Sequence, residues 1–116
     1  MRTSSQKLNT SLKNQLGKTL YQTVADLKDE NEVATFLADF FNESELETFV
    51  KRLAVAYWLK KGRSYSNIKD NLKVSSATIA SISESLKKPG IALALKKLEA
   101  DEWANVWSEK IQKFIK

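Results

Sequence analysis

Apolar residues recur along the chain at helical spacing, and no stretch alternates with the two-residue period of a strand. Leu8, Leu12, Leu16, Leu20, Val24 and Leu27 fall mostly four apart, opposite polar Gln6, Lys13, Asn14 and Gln22. This single leucine stripe predicts an amphipathic helix from about Ser5 to Lys28, about 34 Å long. Gly17 lies inside it at a cost in helix propensity and marks a kink or a close helix crossing. Such a helix has little core to bury against in a small chain. Residues 5–28 are therefore expected to form a dimerisation helix, packed on a partner chain with exchange of N-terminal helices.

Asp29-Glu30-Asn31-Glu32 reads as a capping box, with Asp29 as N-cap and Glu32 three residues on. The helix behind it carries Val33, Phe36, Leu37, Phe40 and Phe41 as core aromatics and aliphatics. Asn42-Glu43-Ser44-Glu45 repeats the signal and opens a third helix to Lys61, with Leu46, Phe49, Val50, Leu53, Val55, Ala56, Leu59 and Tyr57 or Trp58 as its buried set. That breadth of apolar surface marks it as the central helix, and Gly62 is its terminating residue.

The next stretch predicts a helix-turn-helix over residues 64–87. A short helix runs from Tyr65 to Leu72 behind Ser64 as cap, with Ile68 and Leu72 one turn apart. Lys73 and Val74 make the corner. A second helix starts at Ser76 behind Ser75, with Ile79, Ile82 and Leu86 as its apolar stripe. Ile68, Leu72, Val74, Ile79 and Ile82 would then form a wedge holding the two helices at a steep angle, with the first turn of the second free to enter a major groove. That turn opens with small residues, Ser76, Ala77, Ala80 and Ser81, which permit close approach. The N–H ends behind Ser64 and Ser75 can lie against phosphates. Lys87-Lys88-Pro89-Gly90 is read as a break. A C-terminal helical extension follows over 91–116, with Ile91, Ala94, Leu95 and Leu98 on one side, an interruption at Glu99 to Glu102 capped by Asp101, and Trp103, Val106, Trp107, Ile111 and Phe114 continuing the stripe.

Composition narrows the function. With 116 residues, 42% of them hydrophobic, and only 3 Gly and 1 Pro, residues 1–116 fit a single all-α domain of long elements. Cysteine and histidine are both absent, which removes disulfides, thiolate chemistry, the commonest zinc ligands and the commonest general base. Neither an enzyme, a metal site nor a cofactor is expected. No apolar run approaches a membrane span and the N-terminus lacks a signal-peptide core, so a cytoplasmic protein without membrane contact is expected. Charge is unevenly placed: residues 31–50 carry five acids and no base, whereas residues 51–73 carry seven bases and one acid. A one-signed block beside a helix-turn-helix favours double-stranded DNA as partner. Charge and location assign Arg63 and Lys73 to phosphate contact.

The run Lys51-Arg52-Leu53-Ala54-Val55-Ala56-Tyr57-Trp58-Leu59-Lys60-Lys61-Gly62-Arg63-Ser64-Tyr65-Ser66-Asn67-Ile68, then Val74-Ser75-Ser76-Ala77-Thr78-Ile79 and Ser85-Leu86, resembles the Trp repressor superfamily. It is nearest to the YerC/YecD-like branch, which shares the arginine-to-glycine spacing, the Gly-x-Ser/Thr-Tyr-x-x-Ile element and the Ala-Thr-Ile start of the second helix. The resemblance covers about residues 32 to 98. It implies an all-helical, intertwined homodimer. It places groove-reading positions at Ser76, Ala77 and Ala80, with Ser66 and Lys69 on the preceding helix. None of the groove-reading three can make a bidentate guanine contact, so selectivity would depend on water and DNA shape.

The corepressor pocket of the resembled repressor carries over only in fragments. One of its two arginines matches Arg52, but the second falls at Ser81 and the small glycine beside it at Ile82. The threonine positions fall at Asn42 and Thr78 and the serine at Ser85. A vestigial pocket that binds no tryptophan is expected, and no small-molecule effector. The turn glycine of the family is Lys73 here, the branch's usual arginine is Ser81, and the resemblance is silent about residues from Glu99 onward. The leading expectation is a homodimeric, sequence-preferring transcriptional regulator. Two alternatives stand beside it: a DNA-docking module of the replication-initiator type, and a helical scaffold binding an acidic protein or RNA.

Overall fold

The computed structural model describes the backbone of residues 6–115 and the side chains of residues 6–102. It contains α1 (Thr10–Ala25), α2 (Glu30–Phe40), α3 (Glu43–Lys60), α4 (Tyr65–Leu72), α5 (Ser76–Ser85) and α6 (Pro89–Ile115), with no strand among the described residues. The all-α expectation holds. The chain packs as two compact units divided after Glu43, where the sequence pattern suggests one domain over 1–116.

In the first unit, α1 is shorter than the 5–28 that the leucine spacing predicts. Asn9 caps it, its side chain accepting the Leu12 N–H at 2.8 Å, so the helix starts where the best N-cap residue stands. At the other end Asp26 is an acid at the negative pole of the helix, where it disfavours another turn, and Gln22 Nε2 donates to it at 2.9 Å. The result is 16 residues, about 24 Å. Asp29 caps α2, accepting the Glu32 N–H at 3.0 Å, while Glu32 Oε1 accepts the Lys28 N–H at 3.3 Å. The capping signal is thus met, with the return bond one residue before the cap. Neither α1 nor α2 contains a buried residue.

The second unit holds the core. Val55 and Ala56 of α3, Ile68 of α4, Ile79 and Ile82 of α5, and Leu95 of α6 are buried together. Leu59, Leu72, Val74, Leu86, Ile91 and Leu98 pack around them. The wedge of isoleucines that the spacing predicts is this core. The expected burial along α3 is only partly met: Phe49, Val50 and Leu53 are 42–56% exposed. The expected break falls between α5 and α6, at residues 86–88, and Pro89 begins α6 because proline suits the first helical position, where its missing N–H has no partner to lose. One expectation for the C-terminal region needs correction. The helix runs unbroken through Glu99–Glu102. Asp101 caps nothing, and the carboxylate of Glu102 is held by Tyr57 of α3 and by Lys61 just after it. The side chains of Trp103, Val106, Trp107, Ile111 and Phe114 lie outside the described residues.

Candidate nucleic-acid interface

The helix-turn-helix is positioned from its N-terminal side by the end of α3. Gly62 adopts a left-handed φ of 82°, its N–H donating to Leu59 O at 3.0 Å while the Arg63 N–H donates to Trp58 O at 3.1 Å. This pair of bonds closes the helix as a Schellman motif. It carries the Arg63 side chain back over Trp58, with the guanidinium carbon 3.9 Å from the ring centroid. Arg63 Nη1 also donates to Asn67 Oδ1 at 3.4 Å. The guanidinium is therefore held at the start of α4, with donors remaining for a phosphate.

Ser64 Oγ accepts the Asn67 N–H at 3.1 Å and caps α4. Ile68, fully buried, points the helix inward; Ser66 and Lys69 are exposed. Lys73 ends α4 in the left-handed region, φ 56° and ψ 52°, and is the one non-glycine residue with positive φ among the described residues. A side chain strains there, which is why glycine is favoured at such a corner. The lysine carbonyl accepts Lys51 Nζ at 3.4 Å, and Lys51 is paired with Glu47 at 3.4 Å. A cation from α3 thus braces the corner.

Ser75 caps α5, its Oγ accepting the Thr78 N–H at 3.1 Å and lying 2.9 Å from Thr78 Oγ1. Buried Ile79 and Ile82 fix which side of α5 faces the core. Ser76, Ala77, Ala80 and Ser81 are all exposed, and their spacing puts them on one face. The structure therefore brings the small-residue turn, Lys69 and the strained Lys73 to one helix-turn-helix, as the sequence suggests.

The basic block is not one strip of unpaired cations. Lys51 is bound to the corner and to Glu47. Lys61 is paired with Glu102 at 2.9 Å, and Tyr57 donates its hydroxyl to the same carboxylate. The hydrogen bond to Glu102 raises the Tyr57 pKa, and the bonds from Tyr57 and Lys61 lower that of Glu102. The bracing role of Lys51 and the Trp58 seat of Arg63 escaped the sequence reading. Only the i,i+4 pair Glu47 and Lys51 was a visible signal.

Of the positions expected to form a vestigial pocket, Ile82, Ser85 and Thr78 are engaged within the fold. Ile82 is in the core at 6% exposure. Ser85 Oγ donates to Ile82 O at 2.8 Å, and Thr78 is tied to the Ser75 cap. Arg52 and Ser81 are exposed, and Asn42 stands in the link before α3. Among the described residues no group of His, Cys, Asp or Glu could hold a metal ion, and no helix is long and apolar enough to cross a membrane.

The family model described as Trp repressor protein matches residues 15–99. An uncharacterized protein of Bacillus subtilis (strain 168), YerC, is 31% identical over 67 residues, covering 58% of this chain and 64% of that protein, so the chain spans just under two thirds of its relative's length. The crystal structure of a TrpR like protein from Eubacterium eligens ATCC 27750 superposes with a TM-score of 0.70 at 30% identity, over 78% of this chain and 96% of that one. Helix order, helix-turn-helix geometry and these matches agree, and the chain belongs to the Trp repressor family.

Proposed function

We propose that the chain is a homodimeric, sequence-preferring double-stranded DNA-binding protein, a transcriptional regulator that works without a tryptophan corepressor. The observation that carries this reading is the outward face of α5: Ser76, Ala77, Ala80 and Ser81 are exposed directly behind buried Ile79 and Ile82. Lys69 and Lys73 contact phosphates beside it, and stacked Arg63 contacts one at the start of α4. The Ser76 and Ala77 N–H groups, which the Ser75 cap does not use, add a helix N-terminus to the same backbone. Base reading by α5 is by water and by alanine methyls, since none of Ser76, Ala77, Ala80 and Ser81 can make a bidentate guanine contact. Two copies related by a two-fold axis meet half-sites about one helical turn apart.

Selection from random duplexes is expected to return a palindromic motif. Its affinity should fall linearly with log salt, and Lys69→Ala should reduce that slope by about 1. Absence of duplex binding near about 100 mM salt would sink the reading and leave the acidic-protein or RNA scaffold standing. For tryptophan, calorimetry is expected to give no saturable heat at micromolar ligand. Ser81 cannot stack on an indole, and Ile82, Ser85 and Thr78 are committed to the fold.

A further inference from the structure

A cavity of about 350 Å³ opens in the second unit at the far end of α5 from the small-residue turn. Lys60 from the last turn of α3, Leu86 and Lys87 after α5, and Ala92, Leu95, Lys96 and Glu99 from the first turns of α6 line it. Its floor is apolar: Leu95 is buried at 4% exposure and Leu86 is half-buried. Three lysines and one glutamate stand around that floor, a net of +2, and among the described residues no carboxylate forms an ion pair with Lys60, Lys87 or Lys96. The volume is in the range of small-molecule sites. Lysine stems add apolar wall while their ammonium groups stay in water at its rim.

We propose that this cavity binds a small carboxylate with an apolar body. The hydrocarbon lies on Leu86, Ala92 and Leu95, and the carboxylate turns toward the lysines and away from Glu99, which repels it. A bare inorganic anion would leave the floor uncovered, and a neutral apolar molecule would leave three cations unanswered. The site shares none of the residues at Asn42, Arg52, Thr78, Ser81, Ile82 or Ser85. The expectation of no effector, drawn from those positions, therefore does not bear on it. The proposal is also independent of DNA binding.

The test is an amide-shift NMR titration of the full chain with octanoate, with octan-1-ol and acetate as parallel arms. Octanoate is expected to give saturable shifts at Leu86, Lys87, Ala92 and Leu95 with a dissociation constant below about 1 mM. Octan-1-ol and acetate should each bind at least about tenfold more weakly. The double variant Lys87→Gln with Lys96→Gln, both exposed positions, should lose about tenfold in octanoate affinity while its free spectrum keeps the native dispersion. The proposal is overturned if no saturable shift appears, if octan-1-ol binds as well as octanoate, or if the double variant binds unchanged. Shifts confined to Leu12, Leu16 and Leu20 would overturn it equally, because they would mark adsorption to the exposed stripe of α1.

Discussion

Lys73 carries two demands that oppose each other. The corner needs a left-handed residue, and a side chain there costs about 1–2 kcal/mol that glycine avoids. Part of that gain is returned because glycine frees the unfolded chain. The brace from Lys51 reaches the Lys73 carbonyl, so it survives any change of side chain. Lys73→Gly is therefore expected to raise stability by about 0.5–1 kcal/mol in urea unfolding. The same variant should bind duplex more weakly and reduce the salt slope by about 1, since one phosphate contact is lost. A lysine kept at a strained corner is explained if its charge is used. Unchanged duplex affinity in Lys73→Gly would remove that explanation.

At the scale of the elements, what the sequence revealed was what neighbours in sequence decide. Ser64, Ser75 and Asp29 were legible as caps because each bonds an N–H three residues on. Ile68, Ile79 and Ile82 were legible because periodicity marks a buried face. The junction of α3 with α6 was not, since Glu102 is far in sequence from Tyr57 and Lys61 and only folding joins them. Glu102 therefore read as part of an interruption when it is a tie. Its lowered pKa means that the folded chain favours the carboxylate. The stabilisation is present above the ordinary Glu value and is lost as pH falls through the depressed one. The hydrogen bond to Glu102 likewise raises the pKa of Lys61, so that contribution is present below the ordinary lysine value and is lost as pH rises through the raised one. Thermal melts of wild type and Glu102→Gln should differ near neutral pH, wild type being the more stable. The curves should converge in acid below the depressed Glu102 value; a gap that persists there would assign the effect to packing.

For the whole molecule, the outstanding fact is apolar surface that the described chain leaves uncovered. Leu12, Leu16, Leu20 and Val24 of α1 are 41–51% exposed, Leu8 ahead of the helix is 55% exposed, and Phe40 at the end of α2 is 76% exposed. A helix of 16 residues is marginal in water by its own propensity, and Gly17 lowers that propensity further. Its stability must come from burying the leucine stripe. A second copy of the chain offers the same stripe, and a two-fold pairing would also set two α5 helices on one duplex, as the proposed function requires. Light scattering is therefore expected to give twice the 13.2 kDa of one chain. Leu16→Glu places a charge in the middle of the stripe. It should shift the mass toward one chain and lower helix content, while the separate core around Ile68 and Ile79 keeps its cooperative unfolding. It should also weaken palindromic duplexes far more than half-sites, because only the paired state gains from the second half. A single-chain mass for the wild type with duplex present would mean that the stripe serves another partner, and the two-fold reading of DNA would fall with it.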